Sequence, residues 1–179
     1  MADHLKFYIN GAWVDSLGSE TIEVINPSNE SVIGSVSAGT KEDIDVAVAA
    51  AKQAFKTFSF SSKDERIALL ENIIAEYEKR SDELAKTISE EMGAPLWLSN
   101  VAQVTSGLSH FKDTLEVLKE FEFEGTENNY IVRKEPIGVI GMITPWNWPI
   151  NQICTKVASA IASGCTMVPV SYTHLTLPT

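Results

Sequence analysis

The sequence predicts an α/β fold, with antiparallel hairpins at the amino terminus, a helical middle and a parallel βαβ unit towards the carboxyl end. Three observations predict it. Asn10-Gly11 separates two short apolar stretches, Phe7–Ile9 and Ala12–Val14. Apolar residues then recur at helical spacing between Ile44 and Leu118. Finally, the nearly all-apolar run Gly138–Thr144 precedes an Ala-rich stretch and a second apolar run, Cys165–Val168.

The first hairpin rests on Asn-Gly, which tolerates the positive φ angles of a tight primed turn. A second pair is expected at Thr21–Ile25 and Ser31–Val36, around the turn residues Asn26-Pro27-Ser28-Asn29. Thr40 with Asp43 caps a first helix whose face carries Ile44, Ala47, Val48, Ala51 and Phe55. Ser62-Lys63-Asp64-Glu65 is a capping box, followed by a stripe of Ile67, Leu70, Ile74 and Tyr77. Ser81 is placed to cap the next helix, which should stop near Gly93 and Pro95. A longer helix carries Val101, Val104, Leu108, Phe111, Leu115 and Leu118. Its heptad-like spacing reads as a core-facing helix or as a dimerising coiled coil, and the run is short for the latter.

A further hairpin joins Phe121–Phe123 to Tyr130–Lys134 through a polar loop, Glu124–Asn129. Gly138–Thr144 then reads as a strand buried on both faces, as in a parallel sheet. A proline-rich turn at Pro145–Pro149 leads into a helix from about Ile150 to Ser163. Gly164 ends that helix before the next strand.

The composition is that of a soluble globular chain: 179 residues, 44% hydrophobic and 21% charged. A net charge of −10 repels phosphate backbones, so no nucleic-acid partner is expected. The polar start MADHLK is no signal peptide, and no apolar run is long enough to span a bilayer, so no membrane association and a cytoplasmic location are expected. Cys154 and Cys165 have neither metal-type nor redox-type spacing and read as core thiols.

The chemistry-bearing segment is Gly141-Met142-Ile143-Thr144-Pro145-Trp146-Asn147-Trp148-Pro149. On the residues alone it is a strand, a rigid turn and a helix start. Ligands of open α/β sheets bind at the carboxyl ends of strands, and a helix amino terminus offers unpaired N–H groups. A purely structural turn is the competing reading. The usual G-x-G-x-x-G dinucleotide fingerprint is missing.

Thr144-Pro145-Trp146-Asn147-Trp148-Pro149 resembles the Pro-Trp-Asn-Phe/Trp-Pro motif of the NAD(P)-dependent aldehyde dehydrogenase superfamily. Tyr8–Trp13, Ile25-Asn26-Pro27 with Ile33–Val36, and Glu135–Val139 resemble other segments of that family, so the likeness covers roughly residues 5–168. The resemblance implies the amino-terminal part of a Rossmann-like cofactor domain and use of NAD or NADP. It implies an aldehyde substrate oxidised to a carboxylic acid through a cysteine thioester. Asn147 would sit in the oxyanion hole, against the alternative that it only caps the following helix. Ile143, Thr144, Pro145 and Trp146 would line the cofactor cleft, with core packing the alternative for Trp146 and Trp148. Lys156 matches a lysine common in the family, and a snorkelling surface role fits it equally. The hairpin within residues 121–136 resembles the family's oligomerisation strands, which implies a homodimer or homotetramer.

The chain also departs from the family. Pro169-Val170-Ser171 stands where a Lys-Pro-Ser-Glu-like segment is expected, so a ribose-contacting lysine is missing. The family's general-base glutamate and nucleophilic cysteine lie further on. The expectation is therefore a partial NAD(P)-binding domain over residues 1–168, inactive by itself. A non-catalytic interaction module and a CoA-acylating member of the superfamily are the alternatives. Residues 170–175, Val-Ser-Tyr-Thr-His-Leu, can be encoded by GTC TCT TAT ACA CAT CT, which resembles a transposon-end sequencing adapter. Residues 169–179 are thus expected to be a non-native tail, with a genuine divergent tail as the other reading.

Overall fold

The computed structural model describes residues 2–171. It opens with β1 (Ala2–His4), then β2 (Lys6–Ile9) and β3 (Ala12–Asp15), which pair antiparallel with Tyr8 opposite Trp13. Asn10 (φ 53°) and Gly11 (φ 78°) form the expected primed turn. The second hairpin joins β4 (Thr21–Asn26) to β5 (Ser31–Ser37). β1 lies parallel to β5 on its other side, giving the order β1-β5-β4.

Three helices follow: α1 (Lys41–Phe58), α2 (Lys63–Lys79) and α3 (Ser81–Met92). The boxes at Thr40/Asp43 and Ser62/Glu65 both form reciprocally. Ser81 is not the cap expected of it. Only Arg80 separates α2 from α3, and the Ser81 hydroxyl donates back to the Tyr77 carbonyl at 3.1 Å, tying the two helices. α3 ends at left-handed Gly93 (φ 75°).

Asp43 does more than cap. It accepts hydrogen bonds from Ser16 Oγ (3.0 Å), Leu17 N (2.9 Å), Thr40 N (2.9 Å) and Thr40 Oγ1 (3.0 Å), so it pins the loop after β3 to the start of α1. The backbone bonds from Leu17 and Thr40 hold its carboxyl at about 2, below its ordinary 3.8. The folded-state value is the depressed one. The stabilisation is therefore complete above 3.8 and fades as pH falls towards 2. Asp43→Asn should lower the melting temperature at neutral pH and flatten that acid limb, which thermal scans across the range would read.

The long helix is a composite. α4 (Leu96–Leu98) runs into a π-helical segment, Ser99–Val104, and then α5 (Thr105–Glu120). The wider π turn shifts the phase of the apolar stripe. Val101 is left 64% exposed, whereas Val104, Phe111, Leu115 and Leu118 are buried. The helix faces the core and is no coiled coil. Tyr77 bridges to it by donating to the Val104 carbonyl at 2.8 Å.

The third hairpin differs from expectation. β6 (Glu124–Glu127) occupies most of the supposed loop and pairs with β7 (Tyr130–Arg133) around Asn128-Asn129. Asn128, at φ 55°, supplies the left-handed turn. Phe121 and Phe123 precede the strand, stack edge-on at 4.8 Å, and Phe123 packs on the core.

The βαβ unit is β8 (Val139–Thr144), α6 (Pro149–Ser163) and β9 (Thr166–Ser171), with the strands parallel and Thr144 beside Ser171. β9 thus runs past Val168, and residues 172–179 lie outside the described residues. α6 covers one face through Met142 and Ala160. α1 reaches the other at β9, where Thr166 Oγ1 donates to the Ala51 carbonyl at 2.9 Å. β8 is not buried on both faces as expected. With α1 against β9, Gly141 and Ile143 stay exposed. The main core lies where α2, α3, α5 and α6 meet, around Leu70, Phe111, Leu118 and Ala158. No helix among the described residues is long and apolar enough to cross a membrane.

Candidate functional site

The site forms where β8 ends. Strand pairing with β9 fixes Ile143 and Thr144 in register. Thr144 points inward, 2% exposed, and its Oγ1 donates to the Val170 carbonyl at 3.5 Å. Ile143 points outward and is 60% exposed. Pro145 ends the strand because it has no N–H for the ladder. Pro149 stands at the first position of α6, where a missing N–H costs nothing. The two prolines confine Trp146-Asn147-Trp148 to a short, stiff bend.

Within the bend Trp146 is 58% exposed, Trp148 is 38% exposed, and Asn147 is exposed. Neither tryptophan is a core residue. The capping alternative for Asn147 also falls, because Trp148 occupies the N-cap (φ −142°, ψ 67°) and no side chain caps α6. The first helical bond runs from Gln152 N to the Trp148 carbonyl at 3.0 Å. The N–H groups of Ile150 and Asn151 are therefore left without helical acceptors, and no acidic residue stands in the first turn. An α-helix amino terminus in that state favours a negative group or a polarised oxygen.

A cleft of about 1410 Å³ opens between α1, the amino-terminal hairpins and β9. Its walls include Ile44, Ala47 and Ala51 of α1, Val168–Ser171 of β9, and Trp146 with Pro149. Of the residues expected to hold a cofactor, Trp146 lines this cleft. Ile143, Thr144, Pro145 and Asn147 do not, although all five sit on the same strand end and bend. Lys156 donates to the carbonyl and Oε1 of Gln152, both at 3.2 Å, and so is engaged on its own helix.

Neither cysteine is placed as a nucleophile. Cys154 and Cys165 are each 2% exposed, and burial pushes the Cys154 thiol up to about 12. Two residues beside the bend were not singled out from sequence. His110 of α5 and Asn151 of α6 meet at 2.9 Å. They lie far apart in the chain, and no local pattern announces such a pair.

The model of the Aldehyde dehydrogenase family matches residues 13–176. A 3-succinoylsemialdehyde-pyridine dehydrogenase of Pseudomonas sp is 49% identical over 169 residues, covering 94% of this chain and 35% of that protein. An aldehyde dehydrogenase structure from Bartonella henselae superposes with a TM-score of 0.94 at 44% identity, covering 97% of this chain and 37% of that one. A Pseudomonas syringae aldehyde dehydrogenase crystallised with NAD+ and octanal gives 0.90 at 41% identity, covering 92% and 34%. The chain thus spans about a third of the length of these relatives.

Proposed function

The chain belongs to the aldehyde dehydrogenase family, and from that premise we propose that it is the amino-terminal part of an enzyme oxidising an aldehyde to a carboxylic acid with NAD+ or NADP+. One observation carries the reading. Ile143 of β8 and Trp146 and Asn147 of the Thr144–Pro149 bend are presented together at the carboxyl end of a parallel strand, beside the uncapped amino terminus of α6.

These residues fit a dinucleotide. Ile143 and Trp146 offer exposed apolar surface, Thr144 and Pro145 fix the backbone between them, and the α6 terminus favours negative charge. When bound, NAD(P)+ supplies the hydride acceptor. In this proposal Asn147 acts on the substrate side. Its amide N–H donates to the aldehyde oxygen as that oxygen becomes negative, from a bend stiffened by two prolines. Pre-placement matters because a donor that need not reorganise stabilises the charge at the moment it forms. The nucleophile comes from beyond this chain, whose own two thiols are buried. The 179-residue chain alone should therefore be inactive.

The test is aldehyde-dependent reduction of NAD+ or NADP+ by the full-length protein beside the 179-residue chain. Reduction by the former alone supports the proposal, and none by either removes it. Reduction that requires CoA would assign the CoA-acylating branch.

The proposal extends to assembly and location. The β6–β7 hairpin stands away from the core with Tyr130 74% and Ile131 71% exposed, a paired ribbon with apolar surface to bury. The full-length protein is expected to be a cytoplasmic homodimer or homotetramer. Solution scattering should give at least twice the chain mass, and a monodisperse monomer would contradict it.

A further inference from the structure

We propose that His110 is a positioning residue that holds the amino-terminal turn of α6, and with it Asn147, through its bond to Asn151. The inference rests on the reading of Asn147 as the oxyanion donor.

The first turn of α6 has little of its own to hold it. Its N-cap, Trp148, makes no side-chain cap bond, and Pro149 donates none. The Asn151–His110 bond is the one side-chain hydrogen bond reaching this turn from another element among the described residues. Asn151 Nδ2 and His110 Nε2 lie 2.9 Å apart, within hydrogen-bond distance, and an amide N–H can donate to a ring nitrogen.

The surrounding contact leaves this bond little slack. One turn earlier on α5 is Gly107, where an added Cβ would lie 3.1 Å from Ile150 Cγ1 and 3.2 Å from Cys154 Sγ. The α5 backbone therefore abuts α6 just behind the bend. Apolar contact sets the spacing of the two helices, but it is non-directional and tolerates small rotations and slides. A hydrogen bond has a preferred length and angle, and this one sits within four residues of Asn147. It therefore selects one orientation of the turn that projects the amide.

The test uses full-length enzyme carrying His110→Leu, His110→Gln, the double replacement His110→Leu with Asn151→Leu, and Asn147→Ala. His110→Leu should lower kcat by about tenfold to a hundredfold, the scale of a small misplacement of a catalytic group, with KM for the aldehyde and cofactor affinity kept. His110→Gln can still accept from Asn151 and should recover most of the rate. The double variant leaves no unpaired polar group, so its melting temperature should return towards the parental value while kcat stays low. Crystal structures should show the Asn147 amide displaced in His110→Leu and restored in His110→Gln. A parental kcat in His110→Leu overturns the proposal, as does a double variant that regains kcat along with stability, because the role is then structural alone. If Asn147→Ala itself keeps the parental rate, the oxyanion reading fails and this inference falls with it. An impaired Asn147→Ala beside an unimpaired His110→Leu removes only the inference.

Discussion

Replacing Asn147 with Ala in the full-length enzyme is expected to lower kcat by about 10²–10³, the usual cost of one oxyanion donor. The size of the effect comes from timing. The amide N–H meets a neutral carbonyl in the ground state and a developing oxyanion in the transition state. Its loss therefore falls on the barrier more than on binding. KM and cofactor affinity should change little, and kcat and kcat/KM should fall together. The fold should survive, because Asn147 is exposed, makes no cap bond and lies in a bend already constrained by Pro145 and Pro149. Steady-state kinetics with a melting scan separates the two effects. An unchanged kcat in a folded variant would remove Asn147 from the chemistry.

The local devices of this fold are readable in the sequence because each depends on residues close in the chain. Asn10-Gly11 builds its turn unaided, and Thr40/Asp43 and Ser62/Glu65 close their boxes within one helical turn. The strand–proline bend–helix of the site is legible for the same reason. What escaped depends on partners far along the chain or on local backbone geometry that residue types do not announce. Whether Gly141 and Ile143 are covered depends on where α1 settles, and α1 settles on β9. The phase of the long helix depends on a π turn, which no apolar spacing reveals and which exposes Val101. Ser81 fails as a cap because α3 already begins at it, with Arg80 at the N-cap, and its hydroxyl reaches back to the Tyr77 carbonyl. The His110–Asn151 bond joins two helices whose sequences say nothing of each other.

Gly164 is where local signal and distant partner coincide, and Gly164→Ala is expected to be the costlier of two otherwise similar glycine substitutions. Locally, Gly164 ends α6 in the left-handed region at φ 76°, where a side chain costs about 1–2 kcal/mol. The distant part is Arg66. Arg66 is 5% exposed and its guanidinium has no salt-bridge carboxylate among the described residues. It donates to Ser61 Oγ (2.9 Å), the Ser59 carbonyl (3.3 Å) and the Ala162 carbonyl (3.4 Å), and lies 5.4 Å over the Phe123 ring. A Cβ at Gly164 would collide with that guanidinium, whose Nη1 lies 2.9 Å away. Arg66 would have to leave the acceptors that make its burial tolerable, and stranded buried hydrogen-bonding groups cost more than the bond itself is worth. The two contributions sum to about 3 kcal/mol, a large part of the stability of a domain this size. The comparison is Gly125→Ala in β6, where an added Cβ meets nothing within 4 Å and φ is not positive. That change should stay within about 0.5 kcal/mol. Denaturant titration of both variants reads the difference. Equal midpoints would mean that Arg66 moves aside freely and does not lock the α6 terminus to the loop between α1 and α2.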